Sequence, residues 1–148
     1  MRLSTHFTLA EMTTTSTGIA NNPPQDVLTE MVRLCRVVLE HLRAEVGRPL
    51  QVTSGYRSPE VNAAVGGSAT SQHLKGQAAD VKPLGVDRLV LWGVVLANLD
   101  DIPIDQAIIY EETGHVHVST SPSPRRDALV KVAGSGYVRW EDYSGPLK

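Results

Sequence analysis

Apolar side chains recur at steps of three and four residues through positions 24–47, which is the spacing of one face of an α-helix. They are Val27, Leu28, Met31, Leu34, Cys35, Val38, Leu39, Leu42 and Val46. Proline is accepted in the first turn of a helix, and glycine commonly ends one. The pattern predicts a long amphipathic helix between Pro24 and Gly47, with the thiol of Cys35 on its buried side.

Shorter patterns predict the remaining elements. Thr8 and Glu11 have the spacing of a capping box, which begins a short helix. Apolar and alternating runs predict strands at residues 50–53, 77–82, 104–110, 115–119 and 128–133, and helices at 59–65 and 87–99. Because the helices come mostly early and the strands mostly late, the chain is expected to be an α+β protein with helices on one side of a sheet.

Composition limits the classes of function. A chain of 148 residues with 41% hydrophobic residues fits one domain, residues 1–148, and a net charge of -2 argues against nucleic-acid binding. The most apolar run, residues 89–99, is too short for membrane insertion, and no signal peptide is apparent, so synthesis in the cytoplasm is expected. The lone cysteine, Cys35, excludes an intrachain disulfide.

Two histidines lie near the end of the chain in strict alternation with valines. In a strand, residues two apart point to the same face, so His115, His117 and Ser119 share one face. An isolated pattern of this kind is most simply an exposed polar edge. It gains weight only from a second cluster elsewhere in the chain.

The second cluster is His73 and Asp80, separated by Gly76 and small alanines. Glycine permits a tight turn, so His73 on a loop and Asp80 on the next strand can converge. Two imidazoles and one carboxylate form a zinc set that leaves the fourth tetrahedral position for water or substrate. Taken separately, Asp80 could instead be a turn residue and His73 a surface histidine.

Three segments carry a resemblance to a known family. They are SGYRS at residues 54–58, the string Ser-x-His-x-x-Gly-x-Ala-x-Asp at residues 71–80, and His115-x-His117. Their order and spacing resemble the zinc D-alanyl-D-alanine carboxypeptidase family, peptidase family M15, which includes bacteriophage endolysins that cut peptidoglycan stem peptides. Residues 6–24 also look like the leader of small phage-type members, so the resemblance covers essentially the whole chain.

The resemblance implies an antiparallel sheet that holds Zn²⁺, as in the hedgehog signalling domain and the D,D-peptidases. The implied zinc ligands are His73, Asp80 and His117. His115 would stand beside the metal, either as the catalytic proton carrier or as the group that stabilises the developing oxyanion. Many relatives have a glutamate as general base three residues before the last histidine, where this chain has Gly114. Glu111 and Glu112 are weaker alternatives for the base.

Two further residues match family positions that bind substrate. Arg57 corresponds to an arginine that receives a negatively charged group, and a guanidinium suits a carboxylate. Ser71 corresponds to a serine that helps to hold the substrate. The plainer interpretations are a surface arginine in a turn and a loop hydroxyl that caps nearby backbone.

The expected function is therefore hydrolysis of peptide bonds in peptidoglycan stem peptides by a zinc metallopeptidase, either a D-Ala-D-Ala carboxypeptidase or an endolysin-type endopeptidase. The alternative is a noncatalytic zinc-containing module that binds the cell wall or serves in a virion. Peptidoglycan peptides are the expected partners of a monomer. It would reach the wall after release from the cell or within a phage particle.

The remaining aromatic and basic residues are interpreted without a catalytic role. Trp92 lies in the apolar helix and is expected in the core. Trp140 and Tyr143 could line a cleft, but packing of the C-terminal segment is the preferred interpretation. Arg125 and Arg126, close to two prolines, are expected to form a solvated loop.

Overall fold

The structure is a computed structural model that describes residues 1–147. Its α-helices are α1 (Leu9–Met12), α2 (Gln25–Leu34), α3 (Glu40–Val46), α4 (Pro59–Ala64) and α5 (Arg88–Ala97). Its strands are β1 (Leu50–Ser54), β2 (Ala78–Pro83), β3 (Gln106–Tyr110), β4 (Val116–Ser119), β5 (Asp127–Lys131) and β6 (Tyr137–Arg139). A π-helical segment, Cys35–Leu39, joins α2 to α3, and short 3₁₀ turns occupy Gln72–Lys75 and Trp140–Asp142. The expected α+β class is confirmed.

Within residues 1–147 the strands form one six-stranded sheet in the order β1-β2-β4-β3-β5-β6. The expected antiparallel pairing holds for every neighbouring pair except β3 and β5, which run parallel. The exception follows from the path of the chain. After β4, residues 120–126 pass the start of β3 and bring β5 to its far edge, so β5 takes the direction of β3.

The two faces of the sheet differ in character because strand side chains alternate. One face joins the helices in the hydrophobic core; its members are Ala79, Val81, Ala107, Ile109, Val116, Val118 and Val130. The opposite face carries Asp80, His117 and Ile108, which are directly paired across β2, β4 and β3. Polar groups that could do chemistry are therefore held on the reverse side of a packed core.

The long helix predicted for residues 24–47 is present, but a π-helical segment at its centre divides it. Gly47, with a φ of +71°, ends it in the left-handed conformation, and Cys35 is fully buried on its inner side. The capping box of Thr8 and Glu11 at the start of α1 is also confirmed. The spacing of the apolar residues did not predict the π-helical segment, because the apolar face of the helix continues through it.

The C-terminal segment packs against the core. The Trp140 ring lies at 5.5 Å from the Trp92 ring, edge to face, and stacks on Tyr143 at 6.3 Å. Strand β6, which was not predicted, precedes these aromatic residues. None of the helices in the described residues 1–147 combines the length and the apolar character needed to cross a membrane.

Gly76 offers a test of how the site is built, because its backbone and its surroundings both exclude a side chain. Its φ is +69°, and an added Cβ would lie 2.7 Å from the Val27 carbonyl oxygen and 2.8 Å from Cγ of Met31. Gly47 has nearly the same φ, +71°, with nothing within 4 Å of the added atom. A comparison of alanine substitutions at Gly47 and Gly76 therefore separates the cost of backbone strain from the cost of steric overlap.

We expect Gly47→Ala to lower the free energy of unfolding by about 1–2 kcal/mol, the usual cost of a left-handed residue with a side chain. Gly76→Ala should lower it by a further ~1–3 kcal/mol, because the methyl group overpacks the contact with α2. Urea titration followed by circular dichroism measures both. Equal losses for the two variants would show that α2 yields to the extra methyl group.

Candidate metal centre

Asp80 and His117 face each other across strands β2 and β4, where they are direct cross-strand partners. Nδ1 of His117 lies 2.9 Å from Oδ1 of Asp80, and Nε2 of His73 lies 3.4 Å from the same oxygen. One ligand atom from each of the three residues can be chosen so that all lie within 4.8 Å of one another. All three side chains are buried. The structure thus brings together the three residues predicted as ligands.

The local backbone aims His73 at this cluster. The residue lies in the 3₁₀ turn Gln72–Lys75, which Ser71 caps by accepting a hydrogen bond from the His73 amide at 3.2 Å. Nδ1 of His73 is 2.6 Å from the carbonyl oxygen of Gly55. Because a carbonyl oxygen only accepts, Nδ1 carries a proton, and Nε2 is the ring nitrogen that faces Asp80.

The separations suit a small tetrahedral cation. Zinc bonds to histidine nitrogen and carboxylate oxygen are about 2.0–2.2 Å, which gives a tetrahedron edges of about 3.3–3.6 Å. The observed 3.4 Å between His73 and Asp80 matches such an edge, and the 2.9 Å between His117 and Asp80 needs only a small opening.

The protonation states also suit a cation. Burial alone would raise the pKa of Asp80, but polar contacts with His117 and His73 hold it well below its ordinary value. Burial lowers the pKa of His117 despite the opposing attraction of Asp80. An ionised carboxylate and a neutral imidazole are the forms in which these groups bind metals. The donor set therefore fits a divalent cation.

Arg57 and His115 approach the other oxygen of Asp80. Nη2 of Arg57 lies 3.6 Å from Oδ2, and Nε2 of His115 lies 3.9 Å from it. Arg57 is held by hydrogen bonds from Nε to Ser54 and from Nη1 to Asn62, and its side chain is only 18% exposed. It is thus mostly buried beside the ligands, unlike an ordinary arginine of a surface turn.

His115 immediately precedes β4, and its ring lies 4.6 Å from the ring of Tyr110. Burial lowers the pKa of His115, and Asp80 opposes that effect. The alternative bases are placed less well: Glu111 accepts hydrogen bonds from Tyr143 and from the Ala133 amide, and Glu112 is exposed. His115 is therefore the better placed of the three candidate bases.

The ligands lie in a cleft of about 500 Å³, within the range of ligand-binding pockets. Arg57 and Ser71, the two residues expected to bind substrate, line this cleft. The Ser71 hydroxyl also caps the nearby backbone, which was the alternative interpretation of that residue. A comparison of the sequence with protein families agrees with this geometry: the Peptidase M15 family model matches residues 5–119.

The chain belongs to the Peptidase M15 family. Members of this family are metallopeptidases, so the chain is a peptidase by family, and its His-Asp-His cluster could hold the metal. A search of curated proteins returned no match. The family match ends at Ser119, the last residue of β4, so the β4–β5 loop and the strands after it lie outside it.

Several cleft residues were not predicted as site residues, among them Gln72, Tyr110, Arg125 and Tyr137. Tyr110 and Tyr137 belong to the sheet face that carries the ligands, and alternation along β3 could have identified the first of them. Burial raises the pKa of Tyr110 well above its ordinary value, and the nearby Asp80 charge adds to this, so its phenol stays protonated. It can donate a hydrogen bond into the cleft.

Arg125 and Arg126 lie in a loop in which Arg125 is exposed, as expected, but both guanidinium groups also make contacts that the sequence did not indicate. Nη2 of Arg125 lies 2.8 Å from Oδ2 of Asp105, whose side chain is only 4% exposed. Arg126 donates from Nη1 to the carbonyl oxygens of Leu99 and Ile102. Both partners are distant in sequence, so no local pattern could have revealed them.

Metal binding tests the cluster directly. Zn²⁺ added to the metal-free protein should raise its melting temperature, because a ligand that binds only the folded state stabilises it. We expect one bound metal ion per chain, and we expect His73→Ala and Asp80→Ala to abolish both binding and stabilisation. Elemental analysis after dialysis and thermal denaturation measure the two effects.

The matched control is His41→Ala. His41 is half-exposed and contacts Asn98 and Glu45, away from the cluster, so its loss should leave the bound metal unchanged. Full metal occupancy in His73→Ala would refute this assignment of the ligands.

Proposed function

We propose that the protein is a zinc-dependent peptidase that hydrolyses peptide bonds in peptidoglycan stem peptides, of the D,D-carboxypeptidase or endopeptidase type. The observation that carries the proposal is the His73–Asp80–His117 cluster in a cleft that Arg57 also lines. The membership of the chain in a metallopeptidase family supports it. The cell wall, reached after release or from a phage particle, is the proposed place of action.

Zinc is proposed because two imidazoles and one carboxylate with an open fourth position are a frequent catalytic zinc set. Bound by these residues, zinc would polarise the scissile carbonyl and make a water molecule acidic enough to react near neutral pH. The cleft above the three ligands leaves room for a peptide.

His115 is proposed to carry the proton during hydrolysis. Its Nε2 is 3.9 Å from Oδ2 of Asp80, so the ring stands beside the ligand cluster without belonging to it. From this position it can accept a proton from the attacking water and return it to the departing amine. Proton transfer by a placed side chain typically contributes about 10²–10⁴ in rate.

Arg57 is proposed to bind a carboxylate of the peptide. Its guanidinium contacts Ser54, Asn62 and Asp80, and these contacts hold the group in one orientation at the wall of the cleft. A preoriented guanidinium binds a carboxylate with less loss of entropy than a free one. Ser71, on the same wall, is proposed to offer its hydroxyl to the substrate backbone.

The second candidate is a noncatalytic module that binds the cell wall with the same site. Gly114 favours it, since this position lacks the glutamate that many relatives use as base. An added Cβ at Gly114 would lie 3.3 Å from Cε of Lys82, so the position faces a cation instead. Incubation of purified peptidoglycan with the zinc-loaded protein separates the candidates: new free amines indicate a peptidase, and binding without them indicates the module.

The ligand and base roles are separated by two variants. We expect His117→Ala to lose both metal and cleavage, because it removes a ligand. We expect His115→Ala to keep the metal and to lose cleavage by about 100-fold or more, because it removes only the proton carrier. Elemental analysis and mass spectrometry of digested muropeptides measure the two properties. Unchanged turnover in His115→Ala would exclude it as the base.

The role of Arg57 is tested with peptides that end in D-Ala-D-Ala and carry either a free or an amidated C-terminus. If Arg57 binds this carboxylate, the original protein should prefer the free acid by about 10-fold or more in kcat/KM, as expected for a charged hydrogen bond. Arg57→Gln should lose most of that preference. A preference that survives the substitution would assign the carboxylate to another group.

A further inference from the structure

The loop between β4 and β5 is fastened to one buried carboxylate, that of Asp105. Oδ1 of Asp105 accepts hydrogen bonds from the Ser121 hydroxyl at 3.2 Å and from the Arg125 amide at 2.9 Å. The Asp127 amide donates to the Asp105 carbonyl oxygen at 3.0 Å. Both ends of the loop are thereby tied to the residue that precedes β3.

The same carboxylate orients the guanidinium of Arg125. Nε lies 3.2 Å from both oxygens of Asp105, and Nη2 lies 2.8 Å from Oδ2. Within residues 1–147 no acceptor for Nη1 of Arg125 is found, and the side chain is 55% exposed. One edge of the planar group is thus fixed by Asp105, the other edge keeps its donors, and the residue lines the cleft.

The backbone next to Arg125 is strained. Arg126 has a φ of +59°, unusual for a residue with a long side chain. Its guanidinium donates to the carbonyl oxygens of Leu99 and Ile102 at 2.6 and 2.9 Å, which holds the strained conformation. The two arginines contact different partners, and of the two only Arg125 lines the cleft. Strain of this kind is concentrated at functional sites.

The carboxylate of Asp105 accepts hydrogen bonds from several donors. Besides Arg125 and Ser121, its Oδ2 accepts a hydrogen bond at 3.0 Å from Gln72, the residue before His73. Because these other donors also interact with the Asp105 charge, the Arg125 guanidinium can still attract a second anion on the side away from Asp105. A planar, preoriented guanidinium is suited to a carboxylate above other anions of a peptide.

We propose that Arg125 binds a second carboxylate of the peptide, which makes the cleft selective for acidic peptides; this rests on the peptidase function proposed above. The Arg57 guanidinium lies over β2, and Asp105 precedes β3. Two strand spacings, roughly 10 Å, separate β2 from β3, and Asp105 lies three residues, roughly 10 Å, along the sheet from the row of Asp80, His117 and Ile108, so the two positions are about 14 Å apart. Three residues of an extended peptide cover about 10 Å of this distance, and the side chain of a glutamate spans the rest. The second carboxylate is therefore placed about three residues before the group that Arg57 binds.

The probes are two synthetic peptides, acetyl-Glu-Lys-D-Ala-D-Ala and acetyl-Gln-Lys-D-Ala-D-Ala. They differ only in a carboxylate or an amide three residues before the C-terminus. Calorimetry with the full chain, with and without Zn²⁺, measures binding, and released D-alanine measures cleavage. We expect the glutamate peptide to bind about five- to tenfold more tightly, a modest ratio because Arg125 is half-exposed.

Arg125→Gln should reduce this ratio to about one, and Arg125→Lys should give an intermediate value, because lysine keeps the charge but not the planar fork. The control is Arg139→Gln. Arg139 is 63% exposed on β6, does not line the cleft and carries the same charge, so its variant should keep the original ratio. Circular dichroism shows whether each variant folds.

The outcomes separate the two proposals. A ratio that stays high in Arg125→Gln, or that falls equally in Arg139→Gln, would overturn the assignment of Arg125. Equal weakening of both peptides would also overturn it, because a residue that only secures the loop does not distinguish carboxylate from amide. A binding ratio that depends on Arg125 without release of D-alanine would uphold the assignment and count against the D,D-carboxypeptidase form of the proposed function.

Discussion

The contact between Asp80 and His117 is the constraint on which the site depends. The two residues meet only because β2 and β4 pair in one register, and a slip by one residue would turn either side chain to the opposite face. That register is specified by the reverse face, where Val81, Val116 and Val118 are fully buried. The hydrophobic core therefore positions Asp80 and His117 from the opposite face of the sheet.

The two carboxylate oxygens of Asp80 face different groups of residues. Oδ1 faces His73 and His117, and Oδ2 faces Arg57 and His115. A carboxylate shared in this way would couple the candidate metal ligands to the two residues proposed to handle substrate and proton. Its charge also compensates the cation of Arg57, which would otherwise oppose a divalent metal a few ångströms away.

Features set by neighbouring residues were predictable from the sequence, and features set by the path of the chain were not. The capping box at Thr8 and the helix end at Gly47 depend on contacts within a few residues. The string from His73 to Asp80 is equally local, so its residues could be proposed as ligands together with the alternating His117. In contrast, the parallel pairing of β3 with β5 and the contact of Arg125 with Asp105 join segments that no periodicity relates. Strand β6 is only three residues long, too short for an alternating pattern.

Some features of the site are set by the core and others by a loop. Two of the three candidate ligands, Asp80 and His117, occupy the central strands β2 and β4, so a change there disturbs the register and the core. Residues 120–126 instead lie at one end of the sheet, outside the matched family segment, and are held through Asp105. A substitution in this loop alters the wall of the cleft while leaving the pairing of β2 with β4 intact. Asp105 also accepts a hydrogen bond from Gln72, the residue before His73, so the loop contacts the segment that carries one candidate ligand. Substitutions in the loop are therefore expected to alter substrate preference before they alter metal affinity.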